Sequence, residues 1–399
     1  MPAVQLRHGI FMGPYHPLNE NPTAALHRDL RLMEWLDEHG YDEAWIGEHH
    51  SGGYEIISSP EIFIAAAAER TKRLRFGTGV VSLSYHHPLN VANRIVQLDH
   101  QTRGRVMLGC GPGLLVGDAS MLGIEPDAIR DRMGQSLNAI LRLLRGEIVT
   151  ETTDWYSLVN ARTHLQPYTY PHPEVAVASA VSPSSARLAG MHDLGILCVA
   201  ATDSGYDALG NNWRVACETA AQQGRTMDPS RIRVVGPIHI AETREKAREN
   251  VRFGLEHYIK YFQALGPERW SVPAGKDPVD WINESGRGAI GTPDDAIALL
   301  DRLYRQLGEI GAFLHQANNW ADWEQTKKSY ELYTRFVMPH FAKSNLSRQA
   351  SFDWTLSNRT EFSGKRQAAV DAAFAKHTAA TGVDLRPAKT GAGSKPVSW

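Results

Sequence analysis

Eight short apolar runs, separated by segments of helical periodicity, constrain the fold of this chain more than any other feature of its sequence. Asn21 and Pro22, for example, form a helix start, and apolar residues then recur at helical spacing until Gly40. Regular alternation of strand and helix produces parallel strands, and eight such strands can close into a (β/α)₈ barrel. The sequence therefore predicts an α/β protein with a TIM barrel. The runs occupy residues 6–11, 43–46, 74–81, 105–109, 175–179, 196–200, 232–240 and 310–315.

The chain has 399 residues, whereas a barrel of this kind takes about 250 residues. We expect the surplus in residues 110–126 with a polar hairpin at 148–158, in a long mobile loop at 266–288, and in a tail. The loop at 266–288 contains tryptophans and is expected to act as a lid over the site. The predicted domains are a barrel over residues 1–343 and a partly disordered C-terminal extension over 344–399.

Charge and cysteine content argue against several classes of partner and site. Lys and Arg total 42 against 44 Asp and Glu, so the formal net charge of −2 provides no strong attraction for nucleic acid or anionic membranes. The three cysteines form no Cys-x-x-Cys pair, which argues against a disulfide framework and favours a reducing compartment. No stretch is long and apolar enough to span a bilayer. These observations predict a cytoplasmic protein with no nucleic-acid or membrane partner.

Two histidine pairs follow predicted strands, where the active sites of such barrels lie. His49 and His50 come after the second run, and His86 and His87 come after the third. Because imidazole exchanges protons near neutral pH, the pairs predict a catalytic cluster at one mouth of the barrel. A zinc or iron site is the competing interpretation, but no His-x-x-x-His spacing accompanies the pairs. We therefore expect no metal.

A cluster of serines follows the fifth run and predicts a phosphate site. The hydroxyls of Ser179, Ser182, Ser184 and Ser185 surround the point where a strand enters a helix at Pro183. The first N–H groups of a helix and its dipole favour an anion. Ordinary helix capping by Ser182 is the alternative, but it does not explain why so many hydroxyl side chains cluster here.

The fourth run ends in the sequence GCGPG, which does not match a nucleotide-binding fingerprint. Its glycines, among them Gly111, allow the backbone to approach a flat ligand. Cys110 is placed either against that ligand or in the core as a small buried side chain.

Several motifs together resemble the bacterial-luciferase-like flavin-dependent monooxygenases over residues 6–341. Their order and spacing make this resemblance specific, and GEHHSGG and MLGIEPDAIRDRM are similar to the limonene-type or alkanal-type branch of that family. The motifs are YDEAWIGEHH, LRFGTGVVSLSYHHPLNVANRIVQLDHQTRGRVMLGCGPG, ASAVSPSSARLAG, IGTPDDAIALLDRL and SYELYTRFVMPHF.

The resemblance implies a homodimeric barrel enzyme that receives reduced FMN from a separate NAD(P)H flavin reductase. Reduced flavin and O₂ would form a flavin peroxide, which oxygenates a small apolar organic substrate such as a terpene, aldehyde or ketone. The resemblance places the catalytic histidine on His49 and His50, and further cofactor contacts on Ser82 and His87. Pro112 stands where many members have a phosphate-binding arginine, so FAD and riboflavin remain alternatives to FMN.

Other functions remain open on the same fold at this point. Related barrels include deazaflavin-dependent dehydrogenases, which transfer hydride without oxygen, and non-catalytic flavin-binding proteins. The second alternative is expected to lose the paired histidines, which this chain keeps. A zinc-dependent hydrolase is the least favoured.

Overall fold

The computed structural model describes residues 5–13, 15–179, 183–199, 205–266 and 270–386, which contain thirteen strands and fifteen α-helices. The strands are β1 (Arg7–Met12), β2 (Glu43–Ile46), β3 (Arg75–Thr78), β4 (Val81–Ser82), β5 (Val106–Gly111), β6 (Val149–Thr152), β7 (Ser157–Ala161), β8 (Val175–Ser179), β9 (Gly195–Val199), β10 (Ile232–Gly236), β11 (Ile238–Ile240), β12 (Ala289–Gly291) and β13 (Ala312–Ala317). The helices are α1 (Pro22–Glu38), α2 (Pro60–Ala68), α3 (Pro88–Thr102), α4 (Val116–Met121), α5 (Ile129–Leu144), α6 (Pro183–His192), α7 (Gly205–Gln222), α8 (Arg244–Val251), α9 (Leu255–Leu265), α10 (Pro278–Ser285), α11 (Pro293–Leu307), α12 (Trp323–Leu332), α13 (Met338–Ala342), α14 (Leu346–Ser357) and α15 (Arg359–Thr381).

A closed parallel barrel forms the centre of the fold. The strands pair in the order β3, β2, β1, β13, β10, β9, β8 and β5, and pairing of β3 with β5 closes the ring. Each of the eight apolar runs contributes a barrel strand, so the predicted TIM barrel is confirmed. The predicted helix start is confirmed too, because the Asn21 side chain accepts a hydrogen bond from the backbone N–H of Ala24 at 3.1 Å.

Two of the predicted strands are interrupted. The run at 232–240 breaks at Pro237, which has no N–H to continue a ladder, and β11 pairs instead with β12 in a separate two-stranded sheet. The run at 74–81 breaks after Thr78, where the Gly79–Val80 bond is cis, and β4 then pairs with β5. The predicted hairpin at 148–158 is present as the antiparallel pair β6 and β7.

A buried ionic network fills the barrel near the amino ends of its strands. The Arg233 side chain donates to Glu43 at 2.7 Å and to Glu174 at 2.8 Å, and its guanidinium lies 4.9 Å from the centre of the Trp45 ring. Burial opposes the charge, but the two carboxylates raise the pKa of Arg233 above its usual value. This end of the barrel is therefore packed with side chains.

Trp45 fills the middle of the barrel interior, and glycines on neighbouring strands make room for its ring. A Cβ atom at Gly77 would lie 2.3 Å from the Trp45 side chain, and one at Gly109 would lie 2.8 Å from it. Any larger residue at either position would therefore overlap the indole. Phe11 and Val80 pack on the same interior cluster and are only partly buried, so they form its upper surface.

An aromatic cluster lies on the mouth side of the barrel and is called the aromatic roof below. Rings of Tyr258, Trp270 and Trp320 meet edge to face, with centroids 5.3 to 5.9 Å apart. The predicted mobile loop at 266–288 is wrong for its described part, because it contains helix α10 and the buried Trp270. The Trp270 side chain in that segment is buried against Trp320, which is distant in sequence, and burial of this apolar surface stabilises the segment. The roof consists of Tyr15, Tyr258, Tyr261, Trp270 and Trp320.

The chain divides into two compact units, Met1–Ala342 and Lys343–Trp399. In the second unit, α14 and α15 have mostly exposed side chains, and the rings of Trp354 and Phe362 lie 5.0 Å apart. The terminal segment predicted to be disordered lies largely outside the described residues, which end at position 386. Among the described helices, none combines the length and apolar character needed to cross a membrane.

Candidate active site

Glycines stand at the carboxyl ends of four neighbouring strands. Gly13 follows β1, Gly47 follows β2, Gly79 follows β3, and Gly111 ends β5. A Cβ atom at Gly111 would lie 2.4 Å from Val80, so the backbone here approaches its neighbour too closely for a side chain. The barrel mouth therefore has a floor of backbone atoms and partly buried apolar side chains, which suits a flat ligand.

Glu48 lies at this rim and joins two histidines through one oxygen atom. Its Oε1 is 2.8 Å from Nε2 of His50 and 2.6 Å from Nε2 of His86. Its Oε2 accepts a hydrogen bond from the backbone N–H of Ser82 at 2.7 Å. The Glu48 side chain is almost completely buried, so these contacts hold the carboxylate in one orientation.

Glu48 is an ionised carboxylate at neutral pH. Burial favours the neutral acid, but hydrogen bonds from His86, Ser82 and His50 outweigh it and lower the pKa of Glu48. Because an ionised carboxylate only accepts hydrogen bonds, Nε2 of both imidazoles must carry a hydrogen atom. The remaining nitrogen of each ring, Nδ1, is then the atom that accepts or releases a proton.

His49 has a different environment, with a carboxylate at each ring nitrogen. Its Nδ1 is 3.1 Å from Oδ2 of Asp118, and its Nε2 is 3.1 Å from Oε2 of Glu55. Burial lowers the pKa of His49, but the charges of Glu55 and Asp118 outweigh it and raise that pKa. His49 therefore lies between two carboxylates that favour its protonated form.

The carboxylates around His49 connect three separate segments of the mouth. Asp118 lies on α4, and its Oδ1 accepts from the backbone N–H of His50 at 3.1 Å and from the hydroxyl of Ser51. Glu55 accepts from the hydroxyl of Tyr261 on α9 at 3.2 Å. His49 thus links the segment after β2 to α4 and to the aromatic roof.

The structure brings His86 to the cluster and directs His87 elsewhere. His87 is the residue before Pro88 at the start of α3, and its ring contacts the hairpin, with Nε2 3.4 Å from the carbonyl oxygen of Ser157. Its ring centroid is 5.9 Å from that of Tyr156. Flavin contact by His87 remains a prediction, whereas Ser82 already contributes its N–H to Glu48.

Cys110 and Gly111, both predicted at the cofactor, point to opposite sides of β5. The Cys110 side chain is fully buried in the core between the barrel and its helices, and burial raises the pKa of its thiol. This face is away from the barrel interior, so the structure favours the core placement for Cys110. Gly111 is part of the mouth floor.

Three of the four predicted phosphate-binding serines lie in the part of the chain that the structure describes. Ser179 is buried, and its hydroxyl accepts a hydrogen bond from the Asn212 side chain at 2.9 Å. Ser184 and Ser185 lie in the first turn of α6, Ser184 exposed and Ser185 buried. Ser182 lies outside the described residues. Phosphate binding by these serines remains a prediction.

Three acidic residues of the mouth were missed by sequence reasoning. Glu48 directly precedes the first histidine pair, so the motif GEHH contained a signal for it. Glu55 and Asp118 carry no such signal, because Asp118 is 69 positions from His49 and meets it only in the folded chain.

Comparisons with known proteins agree with this architecture. Residues 6–311 match the family described as luciferase-like monooxygenase. Limonene 1,2-monooxygenase of Rhodococcus erythropolis is 42% identical over 366 residues, covering 92% of this chain and 94% of that protein. The 4-hydroxyprotoasukamycin monooxygenase of Streptomyces nodosus subsp. asukaensis is 44% identical over 353 residues, covering 87% and 95%.

A solved structure extends the comparison to three dimensions. The oxygenating constituent of 3,6-diketocamphane monooxygenase from Pseudomonas putida, in complex with FMN, aligns with a TM-score of 0.72 at 26% identity. The alignment covers 84% of this chain and 98% of that one. The resemblance inferred from the motifs is confirmed: this chain belongs to the luciferase-like monooxygenase family and is an oxidoreductase of that type.

Proposed function

We propose that this protein is a flavin-dependent monooxygenase that uses reduced FMN and O₂ to oxygenate a small apolar organic substrate, such as a terpene, aldehyde or ketone. The observation that carries this proposal is the pair of histidines held by Glu48 at the rim of the glycine floor. The names of the Rhodococcus and Streptomyces relatives, one of them a limonene monooxygenase, favour oxygenation over hydride transfer to a deazaflavin or flavin storage.

The mouth has features that fit a flavin. Backbone atoms at Gly47 and Gly111, together with the partly buried Phe11 and Val80, offer a flat and largely apolar surface for a planar ring system. The related camphane enzyme is described in complex with FMN, which supports the same cofactor here. Ser184 and Ser185 at the start of α6 remain the proposed phosphate contacts. FAD and riboflavin share the ring system and are tested as alternatives.

Bound reduced flavin would supply the two electrons that activate oxygen. The chain's own residues would then exclude water and manage protons. The aromatic roof contributes apolar surface on the mouth side, and it is tied to the barrel by the Gln316 amide, which donates to the hydroxyl of Tyr258. His50 and His86 provide exchangeable protons at their Nδ1 atoms, beside the floor on which the ring would lie.

The partner proposals concern the reductant and the quaternary structure. The phrase "oxygenating constituent" for the camphane relative supports a separate NAD(P)H flavin reductase as the source of reduced flavin. We propose a homodimer and a cytoplasmic location, the latter supported by three free cysteines and no disulfide in this chain. Light scattering after size-exclusion chromatography tests the dimer directly.

An anaerobic titration followed by oxygen tests the proposed reaction. Reduced FMN, FAD, riboflavin and a deazaflavin are added in turn to the purified protein, and binding is followed by absorbance. Oxygen is then admitted with limonene, a long-chain aldehyde or a cyclic ketone, and products are analysed by mass spectrometry with ¹⁸O₂. We expect tightest binding of FMN and one ¹⁸O atom in the product. Absence of labelled product with every flavin, together with deazaflavin reduction by an alcohol, would contradict the proposal.

A further inference from the structure

The histidines at the mouth differ in whether a ring nitrogen is left open. Both nitrogens of His49 face carboxylates, and its side chain is 12% exposed. The side chains of His50 and His86 are 25% and 23% exposed, and their Nε2 atoms face Glu48. Among the described residues, neither Nδ1 atom has a hydrogen-bond partner. Of His49, His50 and His86, the last two therefore each have a ring nitrogen without a partner in the part of the chain that the structure describes.

The contacts of Glu48 determine which nitrogen is free. One carboxylate oxygen accepts from both imidazoles, and the other is occupied by the N–H of Ser82. The carboxylate is buried and cannot turn without breaking three hydrogen bonds. Each neutral imidazole is consequently fixed with hydrogen on Nε2 and a lone pair on Nδ1.

We propose that His86 acts with His50 as the proton-exchanging pair of this site, and that Glu48 is the positioning residue that presents both Nδ1 atoms. This inference rests on the proposed monooxygenase function. The family resemblance places the catalytic histidine on His49 and His50 and a further site segment on residues 82–87, without giving a proton role to His86 or any role to Glu48. His49, with both nitrogens occupied, acts as a structural cation in the same mouth.

The proton balance shows what the pair would do. Transfer of one oxygen atom from O₂ to the substrate leaves the second atom to become water, which needs two electrons and two protons. When bound, a reduced flavin monoanion would supply both electrons and one of these protons. The second proton would come from Nδ1–H of one imidazolium, which returns to its neutral form and is reprotonated from solvent. Partial exposure of both side chains makes this exchange with solvent feasible.

Other charged and titratable groups lie close to the pair. The Asp118 carboxylate accepts from the backbone N–H of His50 at 3.1 Å. The ring of Tyr85 lies 6.1 Å from that of His50, and burial together with the charges of Asp118 and Glu48 raises the pKa of Tyr85 to about 12. The phenol stays neutral near pH 7, so the charged groups near the pair are the carboxylates of Asp118 and Glu48.

The first experiment needs no flavin. Nitrogen-15 NMR of histidine-labelled protein reports the tautomer of each ring, with His50 and His86 assigned by single replacement. We expect hydrogen on Nε2 of both rings in their neutral forms. Hydrogen on Nδ1 of His86 would overturn the assignment made from Glu48, whatever reaction the enzyme performs.

The second experiment measures oxygenation by variants loaded with reduced FMN. His86→Ala should lose about 10²-fold in the coupled oxygenation rate while its affinity for reduced FMN stays unchanged. Glu48→Gln keeps the shape of the side chain, removes its charge and should move the pH profile of the rate down by about one unit. Asp29→Asn is the matched control, because Asp29 is also a buried carboxylate that binds a histidine, His16, at 2.8 Å. It should leave rate and profile unchanged.

The outcomes separate this inference from the proposed function. Full oxygenation by His86→Ala, or a pH profile of Glu48→Gln identical to that of the wild type, would overturn the inference and leave the monooxygenase proposal intact. A wild-type enzyme that forms no oxygenated product would overturn the proposed function and the proton role with it. The NMR result would still decide whether Glu48 fixes the tautomers.

Discussion

Replacing His49 by alanine should destabilise the folded chain more than replacing its neighbour His50. Both ring nitrogens of His49 lie 3.1 Å from carboxylate oxygens, and the side chains of Asp118 and Glu55 are 1% and 7% exposed. Removing the cation leaves two buried negative charges facing an empty space. Loss of one member of a buried ion pair costs 3–5 kcal/mol, and we expect about 3 kcal/mol because Ser51 and Tyr261 still donate to the carboxylates.

The pH dependence of this loss follows from the direction of the pKa shift. Burial lowers the pKa of His49, but Glu55 and Asp118 raise it overall, so the folded protein binds the proton more tightly than the unfolded chain. The stabilisation is fully present below the unfolded histidine pKa of about 6.5 and is lost as pH rises through the higher folded pKa. The difference in stability between wild type and His49→Ala should therefore shrink between pH 6 and pH 9.

Urea unfolding followed by tryptophan fluorescence at pH 6 and at pH 9 measures both quantities. His50→Ala is the control, because its ring is 25% exposed and contacts one carboxylate, which keeps His86 and Ser82 as partners. We expect this control to lose about 1 kcal/mol, the typical contribution of one hydrogen bond. Equal losses in the two variants, or a His49→Ala deficit that does not change with pH, would refute the assignment of His49 as a buried cation.

Three further predictions concern the barrel, the aromatic roof and the cysteines. Arg233→Met should destabilise the protein by about 3–5 kcal/mol in urea, and adding Glu43→Gln should recover part of that loss, since no buried carboxylate at position 43 is then unpaired. Trp270→Ala should cost about 3–5 kcal/mol, measured by calorimetry, because its indole is almost completely buried. A thiol reagent should label the partly exposed Cys217 in the native protein, but should label Cys110 only after unfolding, as peptide mapping would show.

Local periodicity is sufficient to predict the barrel, since each strand and helix is defined by residues close together in the sequence. The interruption at Pro237 was also visible locally, because proline cannot continue a ladder, but the apolar run on both sides obscured it. The loop predicted at 266–288 is wrong for its described part because the structure there depends on a contact between residues distant in sequence. Its glycines and prolines predict a loop, whereas Trp270 is ordered by Trp320, a residue 50 positions further along the chain.

The histidines show how far a motif can define the site. Both pairs were expected at strand ends, and the sequence offers no means of choosing between His86 and His87. Both residues have an extended backbone, so their side chains point to opposite sides of the chain, and the ring of His87 lies against the hairpin. His86, one residue earlier, reaches Glu48.

His49 and His50 are neighbours in one motif, yet their chemistry differs because the ratio of imidazoles to carboxylates is different around each of them. At His49, two carboxylates share one imidazole, which places an acceptor beside each nitrogen and leaves neither nitrogen free. At Glu48, two imidazoles share one carboxylate oxygen, which leaves a free nitrogen on each ring. A fixed cation and an exchangeable pair follow from that ratio alone. The residues that set it, Glu55, Asp118 and His86, come from different segments, so a pattern of adjacent histidines cannot show which of the two is chemically available.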